Sequence, residues 1–281
     1  MKQTHIPLTA LVGGAVAFVL RLLQNRTGFE AGTGLPVPGN PFAIALPVFL
    51  ALTAVSLLAM ALKQRGTTAP VFPRDFSTDE PRRLTLAIAG SLLVALSGAA
   101  DIFEGLTGGN LIAQFRAAAD PYGLSAAAER LFAPRLQLIL GLLGLLAGAA
   151  LLVSVIACRI KENAPAYNTA FLLAPPVVLV VRLVLTYRED SVNPALGAYY
   201  VGLLALVFLT LAFYRFSAFA FEGGTSSRFS FCGGMAVALC LASLADGGPH
   251  LSSLLLATGG AVFLLGFLLQ LPVNPAPVPE E

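Results

Sequence analysis

The sequence predicts an all-α, polytopic membrane protein with about eight transmembrane helices and no sizeable soluble domain. Three observations carry this prediction. First, 57% of the 281 residues are hydrophobic and only 11% are charged, where a soluble chain is roughly a quarter charged. Second, mean hydropathy is +0.81; in water such a chain would expose large apolar patches, so lipid is its expected solvent. Third, the apolar residues fall in eight runs of the length a bilayer crossing needs, roughly 20 residues at 1.5 Å each. The runs are continuous and show no period-two alternation, which excludes the strands of a barrel.

The expected spans are Ile6–Leu23, Phe42–Leu62, Leu84–Ala100, Leu136–Cys158, Thr169–Thr186, Ala195–Phe213, Phe229–Ala245 and Leu251–Leu271. The first follows a Lys and contains small residues, as a signal peptide does. Its apolar run continues into Leu20, Arg21 and Leu22, so it reads as a retained span. The third and seventh are short and need a flanking polar residue near each interface. The fourth carries Gly144 and Gly148, a GxxxG step that allows close helix approach. The fifth contains Pro175-Pro176 near its middle, which predicts a kink or a break lining a cavity. The tail, 272–281, is proline-rich and acidic and reads as unstructured. Without Trp, an interfacial aromatic belt rests on Tyr and Phe.

Orientation follows from the basic residues. With the N-terminus inside, ten lie inside: Lys2, Lys63, Arg65, Arg74, Arg82, Arg83, Arg159, Lys161, Arg215 and Arg228. Five lie outside: Arg26, Arg116, Arg130, Arg135 and Arg188. Both termini are therefore expected in the cytoplasm.

The first four spans match the last four in order. Arg21-Leu22 and Arg182-Leu183 sit near the outer ends of the first and fifth. Asn40-Pro41 and Asn193-Pro194 open the second and sixth. Arg83 to Asp101 and Arg228 to Asp246 are both 18 residues apart on the third and seventh. Pro134-x-Leu136 and Pro249-x-Leu251 open the fourth and eighth. These matches predict a duplication, with halves 1–161 and 162–271. Four spans per repeat insert both halves the same way up, so the repeats are parallel. The first half carries an insert near 104–134, expected to form outer-face amphipathic helices, one of them capped by Ser125.

Charge inside a membrane is costly, about 2.5–3.5 kcal/mol at a helix centre, so it marks candidate sites. Arg21 and Arg182 lie within spans; Asp101, Glu104 and Asp246 lie at the outer ends of the third and seventh. Two Arg and two Asp at one depth predict two ion pairs, one per half. They serve either as structural ties or as an outward-facing site for a small anionic or zwitterionic molecule. Tyr187, Arg188, Glu189, Asp190, Tyr199 and Tyr200 could line its wall.

Enzyme chemistry finds little support. His5 and His250 are the only histidines, and HExxH, GxSxG, Walker and dinucleotide fingerprints are absent. Asp101 and Asp246 lack the Tyr-Asp and Gly-x-Gly-Asp contexts of intramembrane aspartyl proteases. Cys158, Cys232 and Cys240 sit in or beside apolar runs, without zinc spacing or a disulfide framework. No cofactor or metal is expected. A net charge of +2 without basic runs argues against nucleic acid. The expected partners are the lipid bilayer and either a small-molecule ligand, a membrane-protein partner or a second copy.

The stretch RLVLTYREDSVNPALGAYYVGLLALVFLTLAFYRFSAFAF, with the loop RLLQNRTGFEAGTGLPVPGNP, resembles multi-pass membrane proteins of anaerobic Gram-positive bacteria, a group without an assigned activity. The resemblance covers about a quarter of the chain and implies a bacterial cell-membrane location. It transfers no activity and no site residue. The functional readings are therefore a transporter or permease, a non-enzymatic sensor, scaffold or accessory subunit, and, third, a lipid-modifying enzyme.

Overall fold

The computed structural model describes residues 5–30, 35–64, 70, 72, 76, 81–107, 134–160, 169–191, 195–221, 223–247 and 250–271. Eight of its helices are long and apolar enough to cross a membrane. They are α1 (His5–Thr27), α2 (Pro41–Leu62), α3 (Pro81–Thr107), α4 (Pro134–Ile160), α5 (Ala174–Asp190), α6 (Leu196–Ser217), α7 (Ser226–Ser243) and α8 (Leu251–Gln270). Short 3-10 turns precede α5 at Thr169–Leu173 and follow α6 and α7 at Ala218–Phe221 and Leu244–Asp246. Among the described residues, the only β-type pairing is a bridge between Phe29 and Pro36. The all-α, eight-helix prediction holds.

Helix positions follow from side-chain size. In lipid, helices associate by packing rather than by the hydrophobic effect, so small residues mark contacts. Helix α7 is rich in Gly, Ala and Ser, and 61% of its span is enclosed. It packs on α1, α2, α6 and α8. Helix α2 is only 22% enclosed. Its buried residues Leu46, Leu50, Thr53, Leu57 and Ala61 form one stripe, and its remaining apolar face meets lipid.

Helix α3 packs along both α4 and α8. On the α4 side Gly98 faces Gly141 and Gly144, and Gly148 faces Ala95. The GxxxG step expected on the fourth helix thus does bring two backbones together. On the α8 side Gly90 meets Phe263, and Gly259 meets Leu93 and Val94. At the end of the bundle that carries both described termini, Phe72 and Phe76 from the α2–α3 connection enter a cluster with Phe216, Phe219 and Phe267. Edge-on and tilted ring contacts there fasten the connection to α6 and α8.

Two expectations change. Helix α3 runs on past Ala100 to Thr107 and takes in Asp101 and Glu104. Nearly all of the insert expected near 104–134 lies outside the described residues, as do Ser125 and the tail 272–281. Pro175-Pro176 does not break a helix at its middle. The pair sits in the first turn of α5, just after the chain tightens from 3-10 into α geometry. First-turn N–H groups lack helical acceptors in any case, so Pro costs little there.

Asn40-Pro41 is a helix start with two functions. The Asn40 side chain accepts from Phe42 N–H at 2.8 Å and donates to the Thr27 carbonyl at 2.7 Å, tying α2 to the end of α1. Asn40→Ala is expected to lower stability by about 1 kcal/mol, the usual worth of an N-cap. Asn40→Asp, which keeps the accepting oxygen, should recover part of it in the same unfolding assay.

Candidate functional site

The polar residues gather at the distal end of the bundle, away from His5 and Gln270. They form two clusters of different character. Both arise because each Arg lies about two turns before its helix ends and swings toward a carboxylate on another helical segment.

The first cluster centres on Arg21, which is fully buried. Its Nε donates to Asp246 Oδ1 at 2.6 Å. Nη1 donates to Gln24 Oε1 at 2.8 Å and to the Gly197 carbonyl at 2.7 Å, and Nη2 to the Ala198 carbonyl at 2.6 Å. Four of the five guanidinium N–H groups are thereby used. Asn25 Nδ2 donates to the same Asp246 oxygen at 2.9 Å. The Tyr200 ring lies 5.5 Å from the guanidinium carbon, a cation–π distance.

The second cluster centres on Arg182. Its Nη1 donates to Asp101 Oδ2 at 2.7 Å and its Nη2 to Ser252 Oγ at 2.8 Å. Among the described residues these two bonds leave three of its five N–H groups unengaged. One turn along α3 from Asp101, Glu104 Oε2 accepts from Gln137 Nε2 at 2.8 Å. The same oxygen lies 2.8 Å from His250 Nδ1. Asp101, Glu104, Gln137, His250 and Ser252 are all buried.

Below Arg182 lies a cavity of about 20 Å³, room for a water or so. Five helices line it: Val94 and Ser97 of α3, Gly144 of α4, Pro175 and Val178 of α5, Phe213 of α6 and Leu256 of α8 are among its walls. Pro175 does line a cavity, as a broken helix would, although the helix is not broken.

The sequence-predicted residues therefore divide. The two expected ion pairs exist, but not one per half. Arg21 of the first half pairs with Asp246 of the second, and Arg182 of the second with Asp101 of the first. Asp101 and Glu104 lie in the last two turns of α3, where both are buried; Asp101 is 1% exposed. Tyr187, at 58% exposed, stands away from both clusters, and Arg188 is exposed as well. Glu104 lies one turn after Asp101 on α3, and its partners Gln137 and His250 were not anticipated. A weak signal exists for Gln137 and Ser252, since a polar residue follows each Pro-x-Leu motif, but none exists for His250.

No protein-family model, curated protein or solved structure matches the chain.

Proposed function

We propose that the chain is a membrane transport protein of permease type, with its site at Arg182 and a small anion or zwitterion as its ligand. One observation carries this reading: among the described residues Arg182 keeps three N–H groups unengaged, and it lines a cavity shared by five helices. Arg21 keeps one and is closed in by backbone carbonyls. In this reading the Arg21 cluster is a structural tie and the Arg182 cluster a working site. An acidic ligand group would exchange for Asp101 on the guanidinium, whose planar fork suits carboxylates and phosphates.

The reciprocal exchange of Arg between halves supports the proposed parallel duplication, since a twofold relating the halves would generate one link from the other. The packing departs from that symmetry, because α1 lies along α7 while α5 lies against α4 and α6. The bias of Lys and Arg supports cytoplasmic termini in a bacterial cell membrane, with the distal end facing outward.

The test uses the full chain purified in lipid nanodiscs. Thermal unfolding is followed with acetate, glycine and inorganic phosphate as probes. A bound probe at a hundred times its Kd should stabilise the fold by about 2.7 kcal/mol. The stabilisation should vanish in Arg182→Gln and persist in Arg21→Gln, and the active probe should accumulate in proteoliposomes. Stabilisation that survives Arg182→Gln would remove this site from the proposal.

A second reading, a sensor, scaffold or accessory subunit, is favoured by a different observation. All four ion-pair residues already have partners and the cavity admits little more than one water. Stoichiometric co-purification with one membrane protein, without probe accumulation, would select it.

A further inference from the structure

A different polar feature lies at the opposite end of the bundle, where α6 ends and α7 begins. Between Leu196 and Ser243 the only basic residues are Arg215 and Arg228. The only acidic one, Glu222, is outside the described residues. Arg215 stands half-buried in the last turn of α6. Its guanidinium carbon lies 5.4 Å from the centre of the Tyr214 ring. Its Nε is enclosed and has no hydrogen-bond partner among the described residues. An enclosed N–H without an acceptor is rare in folded proteins and costs stability, so it marks a place for a partner from outside the chain.

Arg228 is exposed in the first turn of α7. That position is electrostatically adverse, because unpaired N–H groups already give a helix start a partial positive charge. Helix α7 offsets this with nothing of its own. Its N-cap residue, Thr225, makes no side-chain capping bond, and no acidic residue lies in the first turn. Among the described residues Arg228 has no hydrogen bond or ion pair. Two arginines and a helix start therefore leave positive charge in excess at one place.

The seam beside them is apolar. Phe216 and Phe219 of α6 pack on Phe229 of α7 near the end that carries both described termini. Deeper in the bundle Phe208 meets Phe231 edge-on, with ring centres 6.1 Å apart. Both of these rings remain partly exposed. Phe208 and Arg215 are seven residues apart, which puts them on one face of α6 with about 10 Å between them along the axis. Arg228 and Phe231, three apart, share a face of α7. Each helix thus presents the same order: a ring toward the middle of the bundle, a guanidinium toward its end.

We propose that this end of the α6–α7 seam binds an anionic phospholipid, with its phosphodiester between Arg215 and Arg228 and an acyl chain over Phe208 and Phe231. The guanidinium fork matches phosphate oxygens, and Arg215 Nε gains the acceptor it lacks. The same anion offsets the positive start of α7. A free phosphate would answer the charge and leave the rings uncovered. A phospholipid answers both, and it is the solvent of this surface. The site stands apart from Arg182 and does not depend on how that residue is read.

The test is native mass spectrometry of the full chain in detergent, titrated with phosphatidylglycerol or with phosphatidylcholine of equal chain length. One phosphatidylglycerol should be retained in preference to phosphatidylcholine. Arg215→Gln and Arg228→Gln should each weaken that retention about fivefold, the worth of one basic residue at an anionic surface. Arg215→Lys keeps the charge without the fork and should fall between. Lys63→Gln is the control. Lys63 is exposed at the same end, but on the α2 side of α7, where Ser230 donates to Gln64. Its loss should leave retention unchanged. If Arg215→Gln does not fold, Arg228→Gln, whose side chain is exposed, must still show the fall. Equal retention of the two lipids overturns the proposal. So does an equal fall in Lys63→Gln, which would mean diffuse surface charge. Full displacement of phosphatidylglycerol by an equal concentration of inorganic phosphate would make this a free-anion site and overturn the lipid assignment.

Discussion

Arg182→Leu is expected to lower the stability of the folded chain by about 3–5 kcal/mol, the usual cost of stranding one member of a buried ion pair. Asp101 is 1% exposed and receives Arg182 Nη1 at 2.7 Å. Without the guanidinium, its carboxylate has lost its charge partner and cannot be rehydrated where it sits. Asp101→Asn added to Arg182→Leu removes the stranded charge, so the double variant should recover most of the loss. Arg21→Leu offers the comparison. Asp246 keeps the Asn25 donor and has a side chain 22% exposed, so water can replace part of what is lost. Its destabilisation should be the smaller of the two. Unfolding of all three variants in one lipid environment checks the order. Equal losses for Arg182→Leu and Arg21→Leu would show that burial of Asp101 does not decide the energetics. The folded double variant also separates stability from binding: it should stand up to heat and fail to respond to acetate, glycine or phosphate.

What could be read in advance depended on how local the signal is. Eight spans were legible because length and apolar content belong to each segment alone. The close α3–α4 approach was legible from Gly144 and Gly148, since small residues at i and i+4 share a face whatever lies opposite. The end of α3 was not. A hydropathy reading stops at Asp101 because it counts each charge at its cost in lipid. That cost is offset in part once Arg182 faces Asp101, and His250 and Gln137 face Glu104. The crossing of the ion pairs between halves was equally hidden. Spacing along the chain places Arg21 and Asp246 at one depth but does not say that α1 lies along α7. His250 was passed over because a lone histidine has no pattern; its meaning comes from a glutamate 146 residues away.

The seam between α3 and α4 makes the second large prediction. A Cβ built on Gly98 would lie 2.5 Å from Leu145 N and 2.6 Å from the Gly141 carbonyl oxygen. These are backbone atoms of a packed helix, so they cannot rotate aside as a side-chain tip would. Gly98→Leu must then push α4 outward along its length. The expected loss is on the order of 3 kcal/mol, at the upper end of overpacking costs. The displacement would also reach the candidate site, because Gly144 of α4 lines the cavity and Gln137 lies two turns further along the same helix. Gly202 supplies the control. Nothing lies within 4 Å of a Cβ there. Gly202→Ala should gain about 0.4–1 kcal/mol by restricting the unfolded chain. If Gly98→Leu and Gly202→Ala unfold together, the glycines of α3 do not govern its approach to α4. If Gly98→Leu alone is destabilised and also loses the response to acetate, glycine or phosphate, the seam and the polar cluster are one mechanical unit. In that unit, glycine at 98 sets the distance at which Gln137 can reach Glu104.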